Sequence, residues 1–294
     1  MFKALSQSDG NTTNYIAKRV QYESPNSIES TSPSTKLYVI NDKIILTLDK
    51  SQEFTQIITI DTKDFSHEFK TLSKPFINFT GDFKMSNSFI YEDKLLTMVS
   101  CVDELAIGIQ NINSGEVINE YRFRKGEEVS FKNTPFIQRN ERNNNQYEIY
   151  RSNGFLRKIV RTEVGISLYK NDDIFQVSVG GIGEVASAAT ILVNLVPIPV
   201  MQFGPLSIGI NPITAAFGNF MNTQSTYIVC LFDENFDHVQ GKPEKNIFDK
   251  IATFSRENRK ELSAPTVFMI RDKTYFGYYE ANIRMFRILE FTEQ

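Results

Sequence analysis

The sequence contains no tryptophan, only two cysteines and only two histidines in 294 residues. So few cysteines exclude a disulfide framework and a C-x-x-C metal or redox motif. Cys101 and Cys230 lie in the apolar runs TMVSC and YIVCLF, which predicts two buried thiols rather than one bridge. His67 and His238 follow similar turns in two repeats, which favours a shared structural role. We therefore predict no metal site, no histidine-based triad and no cofactor.

A concentrated basic surface and an N-terminal apolar run are also missing. The net charge is −3 and the isoelectric point is near 5.6, so we expect no nucleic-acid partner. The segment MFKALSQSDGNTTNYIAKRV lacks the apolar core of a signal peptide. The predicted localisation therefore stays open between the cytoplasm and a compartment that is reached with a leader since removed.

Motifs of common enzyme classes are absent from the sequence. There is no G-x-S-x-G nucleophile motif and no P-loop. The acidic pairs Glu127-Glu128, Asp172-Asp173 and Asp103-Glu104 all lie beside predicted turns, where acids are commonly just solvated. Paired carboxylates at the mouth of a channel would suit a glycan-acting hydrolase, and we keep this as the alternative. The leading expectation is a protein without catalytic activity.

One stretch, IFQVSVGGIGEVASAATILV from Ile174 to Val193, superficially matches a dinucleotide-binding motif. Its G-x-G-x-x-A follows a strand that alternates apolar and polar residues, whereas a nucleotide-binding strand is buried on both faces. After Glu184 the next acid is Asp233, too far away to bind a ribose. Pro197 and Pro199 would also interrupt the required helix. We interpret the match as a coincidence and the glycines as hinge residues where a half-exposed antiparallel strand leaves its sheet.

A hairpin with an aspartate in its turn recurs along the chain. Its four copies are LYVINDKIILTL (37–48), SFIYEDKLLTMV (88–99), ISLYKNDDIFQVSV (166–179) and VFMIRDKTYFGYY (267–279). A second hairpin type follows in QIITIDTKDFSHEF (56–69), AIGIQNINSGEVINEY (106–121) and YIVCLFDENFDHVQG (227–241). Together the two types place four strands in roughly 45–50 residues, which is typical of a propeller blade.

We predict an all-β chain with an irregular β-propeller-like domain of about four to five four-stranded antiparallel blades. A β-sandwich with similar hairpins is the alternative. Residues 1–35 form a polar N-terminal segment, and residues 36–294 form the β domain. That domain contains a long apolar insertion (182–225) and one helix near the C-terminus (about 244–258) with an apolar face. The segment QYEIYRSNGFLRKIVR (146–161) is predicted as two strands joined by a Ser-Asn-Gly turn, forming a degenerate blade.

The repeat resembles β-propeller proteins in general. The block IFQVSVGG, followed after the insertion by STYIVCLFDENFDHVQGKPEKNIFDKI, is similar to uncharacterised propeller-like proteins of Bacteroidetes-type bacteria. This resemblance covers about the C-terminal third of the chain and contains no catalytic motif. It implies a propeller-like fold and no particular activity.

The insertion contains no charged residue from Val185 to Phe232, although 23% of the whole chain is charged. Three interpretations are open: a packed cover over the domain, a surface that contacts a partner or a membrane, and a spanning helix. Prolines and polar residues disfavour the spanning helix. The candidate contact residues share an apolar side chain: Ile191, Leu192, Val193, Leu195, Val196, Ile198, Val200, Met201, Phe203, Phe217 and Phe220.

We therefore expect a non-enzymatic binding or scaffold protein. Its β platform would bind another protein or a cell-envelope component, with the uncharged insertion as the contact surface. Peripheral association with a membrane surface through the insertion is a further alternative. The sequence indicates neither the partner nor the oligomeric state.

Overall fold

The computed structural model describes residues 17–20, 26–79, 81, 83–140, 145–183, 201–203, 206–208, 212–258, 262–270 and 273–292. Strands make up 54% and helices 13% of the structure, and most strands form antiparallel sheets of three to five strands. The chain is therefore mostly β, as the sequence predicts. The described helices are α1 (Ile28–Thr31), α2 (Ser152–Ile159), α3 (Pro212–Asn222) and α4 (Ile247–Glu257).

The first two sheets are antiparallel meanders in chain order. The first sheet has β1 (Lys18–Arg19), added parallel to the next strand, then β2 (Thr35–Ile40), β3 (Lys43–Leu48), β4 (Phe54–Asp61) and β5 (His67–Ser73). The second has β6 (Met85–Tyr91), β7 (Lys94–Ser100), β8 (Glu104–Asn111) and β9 (Val117–Arg124). Asn41 and Glu92 have positive φ in the tight turns of the two leading hairpins. These hairpins are confirmed at the predicted positions.

The third sheet combines strands from two distant parts of the chain. Its order is β11-β10-β16-β13-β12, and every neighbouring pair is antiparallel. The strands are β10 (Phe136–Asn140), β11 (Asn145–Ile149), β12 (Glu163–Asn171), β13 (Ile174–Gly183) and β16 (Gln224–Phe232). Gly183 at the end of β13 is paired with Gln224 at the start of β16. The predicted insertion thus leaves and re-enters the sheet at adjacent positions, and it contains α3 and the hairpin β14 (Met201–Phe203)–β15 (Leu206–Ile208).

A separate C-terminal layer packs on the helices α3 and α4. It is the meander β17 (Leu262–Ile270), β18 (Lys273–Glu280) and β19 (Met285–Phe291). Phe220, Phe248 and Phe276 are buried together in this second core. The predicted C-terminal helix is confirmed as α4, which begins at Ile247 because Asn246 caps it.

The first three sheets share the main hydrophobic core, to which α2 contributes Phe155 and Ile159. A buried ionic network ties the sheets together inside this core. Asp49, directly after β3, accepts bonds from Lys36 of β2 (2.9 Å) and Lys74 after β5 (3.1 Å). Lys36 also donates to Asn87 of β6, whose amide nitrogen donates to the carbonyl of Val164 in β12 at 2.7 Å. The network therefore joins β2, β6 and β12, one strand from each of the three sheets.

The prediction of two strands in residues 146–161 is wrong in its second half. Residues Asn145–Ile149 form β11, but Ser152 begins α2 instead of a turn. Ile159 lies one helical turn after Phe155 and Leu156, and all three are buried, so a helix brings all three to the core where a strand would not. The stacking of Phe155 on Phe136, with ring centroids 4.7 Å apart, holds the helix on the sheet.

The hinge prediction for the glycine stretch is also wrong for Gly181. Gly180 and Gly181 lie within β13, whose pairing with both neighbours continues past them. A Cβ on Gly180 would overlap the carbonyl oxygen of Thr226, and one on Gly181 would overlap the hydroxyl of Thr162. These glycines are therefore required by close packing on both faces of a continuous strand.

Candidate functional site

The main candidate site is a cleft on one face of the third sheet. Alternation along β13 directs Val177 and Val179 into the main core and Gln176 and Ser178 to the opposite face. The predicted alternation and antiparallel pairing are confirmed. The polar face, however, is largely shielded from solvent. Gln176 is only 8% exposed, because other elements of the fold lie on both sides of it. The polar positions of β13 thus become the floor of a cleft.

Two helices form the walls of this cleft. The short helix α1 lies on one side and provides Glu29, and the first turns of α4 lie on the other and provide Asp249 and Thr253. Tyr227 and Val229 of β16 extend the floor. The cleft is open to solvent on one side and has a volume of about 370 Å³, which is within the range of small-molecule pockets, about 300–1,000 Å³.

The connection that precedes α4 is fixed to the sheet by side-chain amides. Gln176 donates to the carbonyl of Glu244 (3.1 Å) and accepts from its backbone N–H (3.0 Å). Asn171, the last residue of β12, donates to the Glu244 carboxylate at 2.9 Å. Because these bonds hold Glu244 from both strands of one hairpin, this rim of the cleft is firmly positioned.

The positive charge of Arg139 is neutralised within the cleft. Its Nη1 donates to Asp249 at 2.7 Å, and its guanidinium lies over the rings of Phe220 (4.6 Å) and Tyr227 (5.1 Å). Asp249 also accepts from the backbone N–H of Asn246, whose side chain accepts from the N–H of Asp249. In this capping box, the side chains of Asn246 and Asp249 accept hydrogen bonds from backbone N–H groups at the N-terminus of α4.

Glu29 is the exceptional group of the cleft. It is 5% exposed, and its Oε2 has no hydrogen-bond partner in the described part of the chain. The helix α1 approaches β12 closely because Gly165 has no side chain; a Cβ there would lie 2.7 Å from the carbonyl oxygen of Ile28. A buried carboxylate oxygen without a donor costs about 1–3 kcal/mol or more. Such groups are rare in native proteins and commonly mark functional positions.

The predicted contact residues are placed as follows. Ile191, Leu192, Val193, Leu195, Val196, Ile198 and Val200 lie outside the described residues. Met201 and Phe203 belong to the hairpin strand β14, which is described only by its backbone. Phe217 is partly buried and Phe220 is 1% exposed, and both pack on Phe248 in the second core. The last two side chains therefore contact the protein's own interior.

The predicted acidic pairs are distributed over separate turns, and none of them lines the cleft. Glu104 is bonded to Arg122 at 2.8 Å, while Asp103, Asp172 and Asp173 are exposed. Among the described residues no group of three or more His, Cys, Asp or Glu side chains is arranged to hold a metal ion. Among the described residues, the acids that line the cleft are Glu29, Glu244 and Asp249, which the sequence analysis did not single out.

The surroundings of the two histidines and the two cysteines indicate structural roles for these residues. Phe65 and Phe236, each two residues before a histidine, both have positive φ, which agrees with the predicted equivalence of the two turns. His67 is exposed beside Phe69, and burial lowers the pKa of His238. Both cysteines are free and buried, as predicted, and burial raises the pKa of the Cys230 thiol. A buried, protonated thiol is a poor nucleophile.

The sequence contains a partial signal for this cleft. The polar positions of the alternating strand β13 point to one face of a sheet, and Gln176 and Ser178 both line the site. Residues 26–35 gave no such signal, since their polar composition is typical of an exposed segment, yet Ser27, Glu29 and Thr31 are buried. Their burial results from contacts with β12 and β13, more than a hundred residues later in the chain.

No protein-family model, no curated protein and no solved structure matches this chain. Within the described residues, none of the helices combines the length and the apolar character that crossing a membrane requires.

Proposed function

We propose that the protein is a non-enzymatic binding protein whose β platform holds a small polar molecule, free or as part of a protein or cell-envelope component, in the cleft of the third sheet. The observation that supports this most directly is the buried Glu29 oxygen without a donor in a cleft of about 370 Å³. A buried carboxylate oxygen without a partner lowers the stability of the folded protein. Such losses of stability are commonly found at sites whose residues serve binding.

The chemistry of the lining supports binding rather than catalysis. Among the described residues that line the cleft there is no histidine and no cysteine, and most polar groups are amides and hydroxyls. Two of its acids already have partners, since Asp249 accepts from Arg139 and Glu244 accepts from Asn171. Glycan hydrolysis at other acids stays a prediction from the sequence, and no geometry in the cleft favours it.

We also propose that the first three sheets are blades of a propeller-like platform. Two of them are consecutive meanders, and one strand from each sheet, β2, β6 and β12, contributes to one buried network. This arrangement agrees with the resemblance of the repeat to propeller-like proteins. Rigid sheets of this kind position walls such as α1 and α4 without large motion, which reduces the entropy lost on binding.

Filling the cleft is expected to abolish binding without unfolding the protein. Ser178 lies on the floor and is only half-buried, so the ring of a Ser178→Phe variant occupies the cleft rather than the core. A ligand that binds the folded state raises its melting temperature. In a thermal-shift screen of small polar metabolites, we expect compounds that raise the melting temperature of the wild type and leave Ser178→Phe unchanged.

Lys158→Phe is the matched control, because it adds the same ring at an exposed position of α2 on the opposite side of the sheet. Its response should equal that of the wild type. The proposal is wrong if no compound stabilises the wild type, or if stabilising compounds act equally on Ser178→Phe.

The uncharged insertion supports a second candidate surface, for a protein partner or a membrane. It branches from adjacent ends of two paired strands, so a variant can lack it without a change of register. The excision must keep α3, because Ile213 and Phe220 are buried in the second core. Replacing residues 185–208 by a Gly/Ser linker should therefore retain the melting temperature.

We expect the intact chain, but not this variant, to retain one defined partner from native extracts or to float with liposomes. Equal behaviour of the two folded proteins in both assays would contradict a contact surface in the insertion.

A further inference from the structure

Lys36 and Asn87 bring a nitrogen nucleophile and an amide carbon together inside the main core. Lys36 Nζ lies 2.5 Å from Oδ1 of Asn87. Since a C=O bond is about 1.2 Å long, Nζ is at most about 3.7 Å from the amide carbon Cγ. That is close to the separation of about 3–3.5 Å from which held groups react readily. Lys36 is 0% and Asn87 2% exposed, so bulk water does not compete for either group.

Asp49 is placed to take the proton that Lys36 must lose, because only the neutral amine is a nucleophile. Its Oδ2 lies 2.9 Å from Lys36 Nζ. Burial lowers the pKa of Lys36, although the charge of Asp49 opposes this shift. The same carboxylate also contacts the ammonium group of Lys74, so in this network two positive charges face one negative charge. Removing one positive charge from the interior therefore relieves an imbalance.

The groups around the Asn87 amide favour attack at its carbon. The backbone N–H of Ser88 donates to Oδ1 at 2.7 Å, so a donor already faces the oxygen that becomes negative in a tetrahedral intermediate. Nδ2 donates to the backbone carbonyls of Ser32 (2.5 Å) and Val164 (2.7 Å). These two acceptors fix which end of the amide is the nitrogen, and they hold the group that would leave.

The second buried lysine lacks this arrangement and serves as a comparison. Lys74 contacts the same carboxylate at 3.1 Å, but its other described partners are the backbone carbonyl of Ser51 and the hydroxyl of Ser86. Attack on a backbone carbonyl would cut the chain, and a hydroxyl has no carbonyl carbon. Lys36 faces a side-chain amide, whose nitrogen can leave without breaking the chain.

We propose that Lys36 and Asn87 condense to an intramolecular isopeptide bond that links β2 of the first sheet to β6 of the second. Lys36 gives a proton to Asp49, and the lone pair of the amine forms the Nζ–Cγ bond. The Cγ–Nδ2 bond then breaks, Nδ2 takes a proton from Nζ, and ammonia leaves. Ammonia takes up the proton held by Asp49 and departs as ammonium, which restores the carboxylate.

The net reaction converts one ammonium group and one primary amide into a secondary amide and free ammonium. It needs no oxidant, cofactor or further reactant, and it does not depend on a ligand in the cleft. The ionic network described above is the state that precedes it. The product closes a covalent loop between two positions 51 residues apart, which constrains the unfolded chain as a disulfide does.

Mass spectrometry of the folded wild-type protein tests the proposal directly. We expect an intact mass about 17 Da below that of the sequence, which is the loss of one ammonia. Trypsin does not cut after an acylated lysine, so residues 20–43 should remain uncut and be joined to residues 85–94 in one branched peptide. A succinimide at Asn87 would lose the same mass, but it would leave residues 85–94 as a separate peptide.

Two lysine variants provide the matched comparison. Lys36→Arg keeps a positive charge and removes the nucleophile, so we expect the full sequence mass. Lys74→Arg makes the same substitution on the other side of Asp49 and should still lose about 17 Da. In a denaturing gel, the wild type and Lys74→Arg should migrate alike and differently from Lys36→Arg, because only their chains contain the covalent loop.

The wild-type digest decides the question even if neither variant folds. The branched peptide with its link between Lys36 and Asn87 supports the proposal. The full sequence mass after days of incubation of the folded protein overturns it. A mass loss with separate peptides, or a link through Lys74 instead of Lys36, overturns it as well.

Discussion

Replacing Asp49 by asparagine is expected to lower the free energy of unfolding by about 3–5 kcal/mol, because two lysine ammonium groups then lack a counter-charge in the interior. The side chains of Lys36, Asp49 and Lys74 have no solvent exposure. The same carboxylate accepts hydrogen bonds from Thr55 (2.8 Å) and Ser88 (2.7 Å), so one substitution disturbs the whole network. Urea denaturation followed by circular dichroism measures the loss.

Asp42→Asn is the matched control for this prediction. Asp42 also pairs with a lysine, Lys63, at 2.7 Å, but both side chains are more than half exposed. Its loss should change the unfolding free energy by less than about 1 kcal/mol. Similar small effects at Asp49 and Asp42 would show that the buried network does not hold the three sheets together.

The same carboxylate gives the stability of the protein a defined dependence on pH. Burial alone would raise the pKa of Asp49, but the charges of Lys36 and Lys74 and the hydrogen bond from Ser88 lower it to about 2. An aspartate in an unfolded chain has a pKa of about 3.9. Since the folded-state pKa is the lower one, the stabilisation is present above about pH 4 and is lost as the pH falls through about 2. The difference in unfolding free energy between wild type and Asp49→Asn should shrink over that interval.

Gly180→Ala is expected to cost about 3 kcal/mol or more, and it can prevent folding altogether. The added Cβ would overlap the carbonyl oxygen of Thr226 and lie 2.7 Å from the Cα of Tyr227. Both are backbone atoms of the paired strand β16, so neither can move aside without separating the two strands. Loss of soluble expression, or a large fall in the midpoint of urea denaturation, is the expected result.

Gly183→Ala provides the comparison within the same strand. Its Cβ would meet the carbonyl oxygen of Gln224 at 3.7 Å, which is ordinary contact distance. We expect a change within about 1 kcal/mol, and a small gain is compatible with the reduced entropy of the unfolded chain. Equal losses at the two glycines would indicate that backbone freedom, and not the close approach of β16, explains the glycine at position 180.

The hairpins were predictable from the sequence because their determinants are local. Asn41 and Glu92 occupy turn positions with positive φ between two apolar strands, and this pattern needs no information from the rest of the chain. The helix α4 was predictable for the same reason, since its apolar face and the cap at Asn246 lie within a few residues. Such elements depend on turn chemistry and periodicity alone.

The composition of the third sheet was not predictable in this way. Strand β10 pairs with β16 across the whole of β11, α2, β12, β13 and the insertion, and no local pattern specifies that partner. In the segment around Ser152 the spacing of apolar residues was compatible with strand and helix, and packing on Phe136 decided for the helix.

The cleft was predictable on its floor and not on its walls. Gln176 and Ser178 follow from the alternation of β13, whereas Glu29 reaches the site from a segment whose composition is typical of an exposed arm. The burial of Glu29 depends on the absence of a side chain at Gly165, far along the chain. A requirement of that kind becomes visible only when both segments are seen together.

The seating of α1 on β12 also has a consequence for the order of folding. The N-terminal wall of the cleft cannot form until the strand that contains Gly165 has been synthesised and paired, and Tyr227 of the floor comes later still. The first two meanders can assemble from neighbouring segments, while the cleft requires contacts of high sequence separation, which form slowly. Ligand binding in the cleft would therefore appear only in chains whose third sheet is complete, and a nascent or truncated chain would not compete for the ligand.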